Sequence, residues 1–133
     1  MTDKIKTEKE WVTEAGYAAK VIAHPMGHRC GYVTVPESHP HYGKGYDDVR
    51  VDVHGGLTYA DEGTFGFDCA HIDDAKDESI MSDEYKVVFS RYLLDRITWG
   101  GATVKTLEFC VTECESLAKQ LKEQNDECSA SAT

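Results

Sequence analysis

Long apolar runs are missing from this chain of 133 residues, and nothing in it approaches the roughly eighteen consecutive apolar residues that a membrane-spanning helix requires. Basic residues are scarce: 14 Lys and Arg stand against 24 Asp and Glu, a formal net charge of -10. Proteins that coat duplex nucleic acid do so with a basic surface that displaces counterions, so that class is excluded, whereas a local basic pocket is not. The stretch from Met1 to Glu10 lacks the apolar core of a signal peptide, and the expectation is a cytoplasmic protein with no membrane partner. The five cysteines, at positions 30, 69, 110, 114 and 128, are odd in number and irregular in spacing, which suits a reducing compartment better than a secreted disulfide framework. Also missing are paired Cys-x-x-Cys motifs, a His-Glu-x-x-His helix, a glycine-rich loop leading to Lys-Ser or Lys-Thr, and any internal repeat.

What is present, 41% apolar residues, suffices for one compact unit in a chain too short for two. Residues 1–124 are expected to form a single α+β domain, and residues 125–133 a disordered tail carrying Cys128 as an exposed thiol. Leu107, Cys110, Val111, Cys114, Leu117, Ala118 and Leu121 recur at three-and-four spacing and predict an amphipathic helix. Thr106 caps it, Glu108 suits its first turn, and Lys119 and Lys122 favour its other end. Cys110 and Cys114 fall on its buried stripe, where free cysteine packs as a small hydrophobe. Tyr85, Val88, Phe89, Tyr92 and Leu93 fit a second helix before it, although Val87-Val88-Phe89 also reads as a strand; Trp99-Gly100-Gly101 separates the two.

Earlier in the chain the period changes to two. Residues 17–23 and 31–35 alternate on either side of Pro25-Met26-Gly27 and predict a hairpin. Val49, Val51 and Val53 alternate with Arg50, Asp52 and His54, then pass through Gly55-Gly56 into Leu57-Thr58-Tyr59, which predicts another antiparallel pair. Phe65, Phe67 and Cys69 alternate with Gly66, Asp68 and Ala70 after a turn at Asp61-Glu62-Gly63. The predicted architecture is α+β, an antiparallel sheet with the C-terminal helix packed across one face.

All six histidines lie between residues 24 and 71. Pleating puts Asp52 and His54 on one face of their strand and Asp68 on the polar side of its own, so adjacent strands would gather an Asp52, His54, Asp68 cluster. Imidazole and carboxylate suit a divalent metal such as zinc or manganese, with His71 as a further ligand, and equally suit a general base beside an orienting acid. The plainer alternative is a His–Asp hydrogen bond that fixes strand register. Alternation sets Cys69 and His71 opposite Asp68, which counts against a single zinc site. Cys30, next to Arg29 and near His28, is a nucleophile only if its thiol is acidic, and otherwise a buried residue. The segment Pro36 to Tyr46 is too polar and broken for regular structure. It reads as a binding loop in which His39, His41, Tyr42 and Tyr46 offer flat rings and Lys44 joins Arg29 in meeting a phosphate. A loop packed on its own aromatic residues is the competing reading.

Charge is unevenly spread: residues 61–84 hold nine acidic groups and one lysine. That stretch reads as a solvated loop, or alternatively as a mimic of nucleic-acid charge toward a basic host protein.

The strings Gly27-His28-Arg29-Cys30-Gly31-Tyr32-Val33, His39-Pro40, Tyr42-Gly43-Lys44, Val51-Asp52-Val53-His54-Gly55-Gly56-Leu57-Thr58-Tyr59 and Phe65-Gly66-Phe67-Asp68-Cys69-Ala70-His71 resemble a family of small bacteriophage and prophage proteins. The resemblance covers roughly residues 11–121 and is poorest from Asp73 to Lys105. It implies a phage accessory protein acting inside the host cell, for example in counter-defence of the anti-CRISPR or signal-sequestering kind. The leading expectation is therefore a non-enzymatic protein without cofactor. It would bind a small polar or nucleotide-like ligand, or a host defence protein, through Arg29, His39, His41, Tyr42, Lys44, Tyr46, Asp52, His54 and Asp68. The alternative is a metal-dependent hydrolase or nuclease using His54, Asp52, Asp68 and His71. A third reading gives the polar face to assembly of a homo-oligomer.

Overall fold

The structure, a computed structural model, describes residues 5–71, 74–87 and 103–131, the last four by backbone alone. The described elements are, in order, β1 (Lys6–Val12), β2 (Ala18–Ala23), β3 (Arg29–Thr34), β4 (Tyr59–Asp61), β5 (Thr64–Asp68), β6 (Asp74–Ala75), α1 (helical at residues 83–87), β7 (Thr103–Val104) and α2 (Leu107–Ser131). The first five strands form an antiparallel sheet in the order β1-β2-β3-β5-β4, while β6 and β7 pair in parallel. The α+β architecture is thus the expected one, with a short helix before the long one. Val88, Phe89, Tyr92, Leu93 and Trp99-Gly100-Gly101 lie outside the described residues. Helix α2 continues to Ser131, through positions whose composition suggests a tail. Among the described residues no helix is long and apolar enough to cross a membrane.

Pleating sends Ala19, Val21, Val33, Phe65 and Phe67 to one face of the sheet, and α2 lays Cys110, Cys114, Leu117, Ala118 and Leu121 across it. Each large side chain buried this way stabilises the fold by about 1.5–3 kcal/mol. The helix starts at a side-chain cap, the Phe109 amide donating to Thr106 Oγ1 at 3.1 Å. Gly31 stands where the two layers close on each other: a Cβ there would lie 2.5 Å from the Phe67 ring and 2.8 Å from Cys114 Sγ. The β4–β5 hairpin turns through Glu62 and Gly63, both at positive φ (44° and 88°), the mirror-image turn that matches strand twist. A side chain on Gly63 would also strike the Tyr42 ring, which packs directly on it.

Strand β1 has no counterpart in the sequence reading. It is an edge strand of mostly charged residues, and its register with β2 slips between Thr7 and Lys9, leaving Glu8 as a bulge. The bulge aims Glu8 at Arg29.

The second antiparallel pair expected from Val49 to Tyr59 is not formed, and this corrects the reading of that segment. Residues 49–58 are outside the sheet, and only Tyr59 onward enters β4. The alternation is real, since Val49 and Val53 are buried while Arg50 and Asp52 are exposed, but the backbone finds its partners on α2. Gln120 accepts from the Asp52 amide at 2.7 Å and donates to the Asp52 carbonyl at 2.8 Å. Gln124 donates to the Arg50 carbonyl and Glu113 accepts from the His54 amide, each at 2.7 Å. A glutamine amide presents the same donor and acceptor pair as a peptide group, so the helix flank substitutes for a neighbouring strand.

Two outcomes follow for stability. Gly31→Ala should cost about 1–3 kcal/mol through overpacking, read as a lower urea midpoint with an unchanged slope. Gln120→Ala should cost about 1–2 kcal/mol, since two hydrogen bonds are lost, and should speed hydrogen exchange of the Asp52 amide.

Candidate functional site

The extended run 50–54 ends at His54, whose amide is tied to Glu113 and whose ring stands edge-on to Phe109 at 5.2 Å. From there the chain turns at Gly55 (φ 69°), where a Cβ would lie 2.3 Å from the His71 ring. Only glycine seats His71 against His54, their centroids 5.5 Å apart at 79°. Between them is Asp74, with its carboxylate 1% exposed. His54 Nε2 is 2.9 and 3.0 Å from the two Asp74 oxygens; the His71 amide and Nδ1 reach Oδ2 at 3.0 and 3.1 Å; Lys105 Nζ reaches Oδ1 at 3.1 Å. Burial by itself would raise the Asp74 pKa, but the bonds from His54, His71 and Lys105 outweigh it and hold the group at about 2. The carboxylate is therefore ionised, and each imidazole contact is an N–H donating to it. On its other side His71 Nε2 lies 3.8 Å from Asp68 Oδ1, and the His71 side chain is 34% exposed.

Of the residues expected at the site, the structure brings His54, His71 and Asp68 together and leaves the others apart. Asp52 is exposed, its backbone clasped by Gln120; the carboxylate that meets His54 is Asp74. Arg29 is buried, its guanidinium donating to Glu8, Asp77 and the Lys105 carbonyl, so its donors are engaged inside the fold. The loop 36–46 packs onto α2 through its own rings. His39 is buried, donates from Nε2 to the Leu121 carbonyl at 2.7 Å and accepts the His41 amide at Nδ1. His41 Nε2 contacts Gln124 at 2.7 Å. Tyr42 lies on Gly63, leaving Lys44 and Tyr46 exposed. His54 meets the helix near residues 109–113 and the loop meets it near 121–124, a separation of about 17 Å along the axis. They do not form one patch.

Cys30 is buried and its thiol is pushed up to about 11, by burial first and Asp68 second, which removes the nucleophilic reading. Cys110 and Cys114 are core residues as expected, and Cys69 Sγ lies 3.7 Å from Cys110 Sγ. The acidic stretch is not uniformly solvated either: Asp74 and Asp77 turn inward to compensate buried cations.

The sheet face turned away from α2 carries a second polar assembly. Tyr32 and Tyr59 flank Gly66 across the strands, and the Tyr32 ring lies over the glycine. The two rings meet edge to face at 5.4 Å, with Lys20 Nζ 5.7 Å above Tyr32. Beside them Glu10, Thr34 and Thr64 line a cleft of about 140 Å³. Asp68, opposite Cys30 on the same face, joins this surface to His71.

Asp74 and Lys105 were not singled out from sequence. The one available signal was the spacing of His71 and Asp74, which lets a side chain accept from the amide three residues before it. Compared with known proteins, the chain matches no family model, no curated protein and no solved structure.

His24 and His28 stack at 4.7 Å, and His28 Nδ1 is buried with no hydrogen-bond partner among the described residues. Burial, with Lys76 and His24 adding repulsion, lowers the His28 pKa from 6.5 to about 4. The unfolded chain thus takes up a proton between those values that the folded chain refuses. Stability should fall as pH drops from 6.5 to 4, by on the order of 3 kcal/mol from this residue, and level off below. Urea unfolding across that range should show the slope in the wild type and lose most of it in His28→Gln.

Proposed function

We propose that the protein is a phage-type accessory protein that works by binding, and that it captures a small planar, nucleotide-like ligand on the face of the sheet opposite α2. The observation that carries this is the pairing of Tyr32 and Tyr59 beside Lys20, above a cleft of about 140 Å³, on a face that α2 leaves open. Aromatic rings offer a base a stacking surface, an ammonium group meets a phosphate, and the threonines Thr34 and Thr64 supply hydroxyls at the rim. Burial and the neighbouring Cys30 push the Tyr32 hydroxyl up to about 12, so it remains a hydrogen-bond donor at neutral pH. Sequestration of a nucleotide signal inside the host cell is the counter-defence role that fits such a surface. Relative to the sequence reading, the contact set keeps Asp68, drops Arg29, Asp52, His54 and the loop residues, and gains Lys20, Tyr32 and Tyr59.

Calorimetry against mononucleotides, cyclic dinucleotides and ADP-ribose derivatives tests the assignment. At least one should bind, and Tyr32→Ala or Tyr59→Ala should weaken it by about 1–3 kcal/mol, the worth of a stacked base. Lys20→Ala should weaken binding and flatten its dependence on salt. No binding across the set, or binding indifferent to all three substitutions, would overturn it.

A further inference from the structure

The geometry points to a first-row divalent cation, of the zinc class, held by His54 Nε2, His71 Nδ1 and Asp74 Oδ2. These donors come from two stretches of chain, His54 from one and His71 with Asp74 from the other, and converge within 4.8 Å of one another. The carboxylate oxygen already lies 3.0 Å from one imidazole nitrogen and 3.1 Å from the other, close to the separation of neighbouring ligands around an ion bound at about 2.0–2.1 Å. Drawing the two nitrogens together, with the ion replacing the protons that now face Asp74, completes a two-imidazole, one-carboxylate set.

The surroundings resemble the outer shell of a metal centre. Asp68 stands behind His71 at the ring nitrogen left over, where a carboxylate orients a ligating imidazole. Lys105 holds Asp74 by Oδ1 while the His71 amide donates to Oδ2, so the carboxylate is fixed from both sides with Oδ2 facing both imidazoles. Gly55 excludes any side chain from the space His71 occupies, and Phe109 fixes the His54 ring from its flank. With His71 a third exposed, water can reach the remaining coordination positions. The site borders the tyrosine surface at Asp68 but none of its three ligands belongs to that surface, and it does not depend on a nucleotide binding there.

Cobalt(II) titration of the untagged, chelator-stripped full chain tests this, with visible absorption as the readout and zinc as competitor. One equivalent should bind, zinc should displace it, and His71→Ala should weaken binding at least about 10-fold, as should Asp68→Asn. His54→Ala should abolish it, while His41→Ala and Tyr32→Ala leave it unchanged. If His54→Ala fails to fold, the surface position of His71 keeps the test decisive. Absence of saturable binding, or binding unaffected by His71→Ala, would overturn the assignment. So would an intense thiolate-to-cobalt band, because it would place the ion on the cysteines.

Discussion

Helix α2 has two neighbours to satisfy at once. Its apolar stripe, Cys110 to Leu121, closes the sheet, while its flank of Glu113, Gln120 and Gln124 supplies hydrogen bonds to an extended chain that no strand accompanies. Much of the segment from residue 39 to 54 is anchored on the helix. The Leu121 carbonyl and Gln124 hold the loop histidines, Gln120 clasps Asp52, and Glu113 delivers His54 to its place over Phe109. A small domain thereby orders a long irregular segment without adding strands to its sheet.

Buried charge is the second constraint. Arg29 and Asp74 are each almost wholly inside, and each is compensated by groups from distant parts of the chain. An ionised group in such surroundings is expensive once a partner is removed, because the remaining charge loses both water and counter-charge. The two networks touch at Lys105, whose carbonyl accepts from Arg29 and whose ammonium meets Asp74. They tie β1, β3 and the stretch around residues 74–77 to the start of α2. Their polar content is greater than register fixing would require, and part of it, at His71 and Asp68, faces outward.

Elements that bury a regular apolar face were legible in the sequence. The stripe of α2, the hairpin about Pro25, the turn at Glu62-Gly63 and the phenylalanine strand β5 all appear where periodicity puts them. Strand β1 was not, because an edge strand of alternating charge has little apolar pattern to read. The segment 49–54 was read with the right faces and the wrong partner. Alternation reports which side chains are buried and says nothing about what accepts the backbone hydrogen bonds, here a glutamine side chain. At the site, His54, His71 and Asp68 were visible as a concentration of histidine and carboxylate. Asp74 was hidden in a run of acids, where sequence offers no way to tell the one that turns inward.

What the sequence determined by itself is the class of fold and the composition of the core, since periods of 3.6 and two are local properties that fix which residues share a face. Only the tertiary structure decided which polar groups meet. Arg29 was drawn inside by Glu8 and Asp77, the loop histidines were spent on the helix, and His54 found Asp74 twenty positions away. The reason is physical: a buried polar group must be matched by whatever donor or acceptor the packed chain brings within about 3 Å, and that proximity is set by how the layers close, not by spacing along the chain.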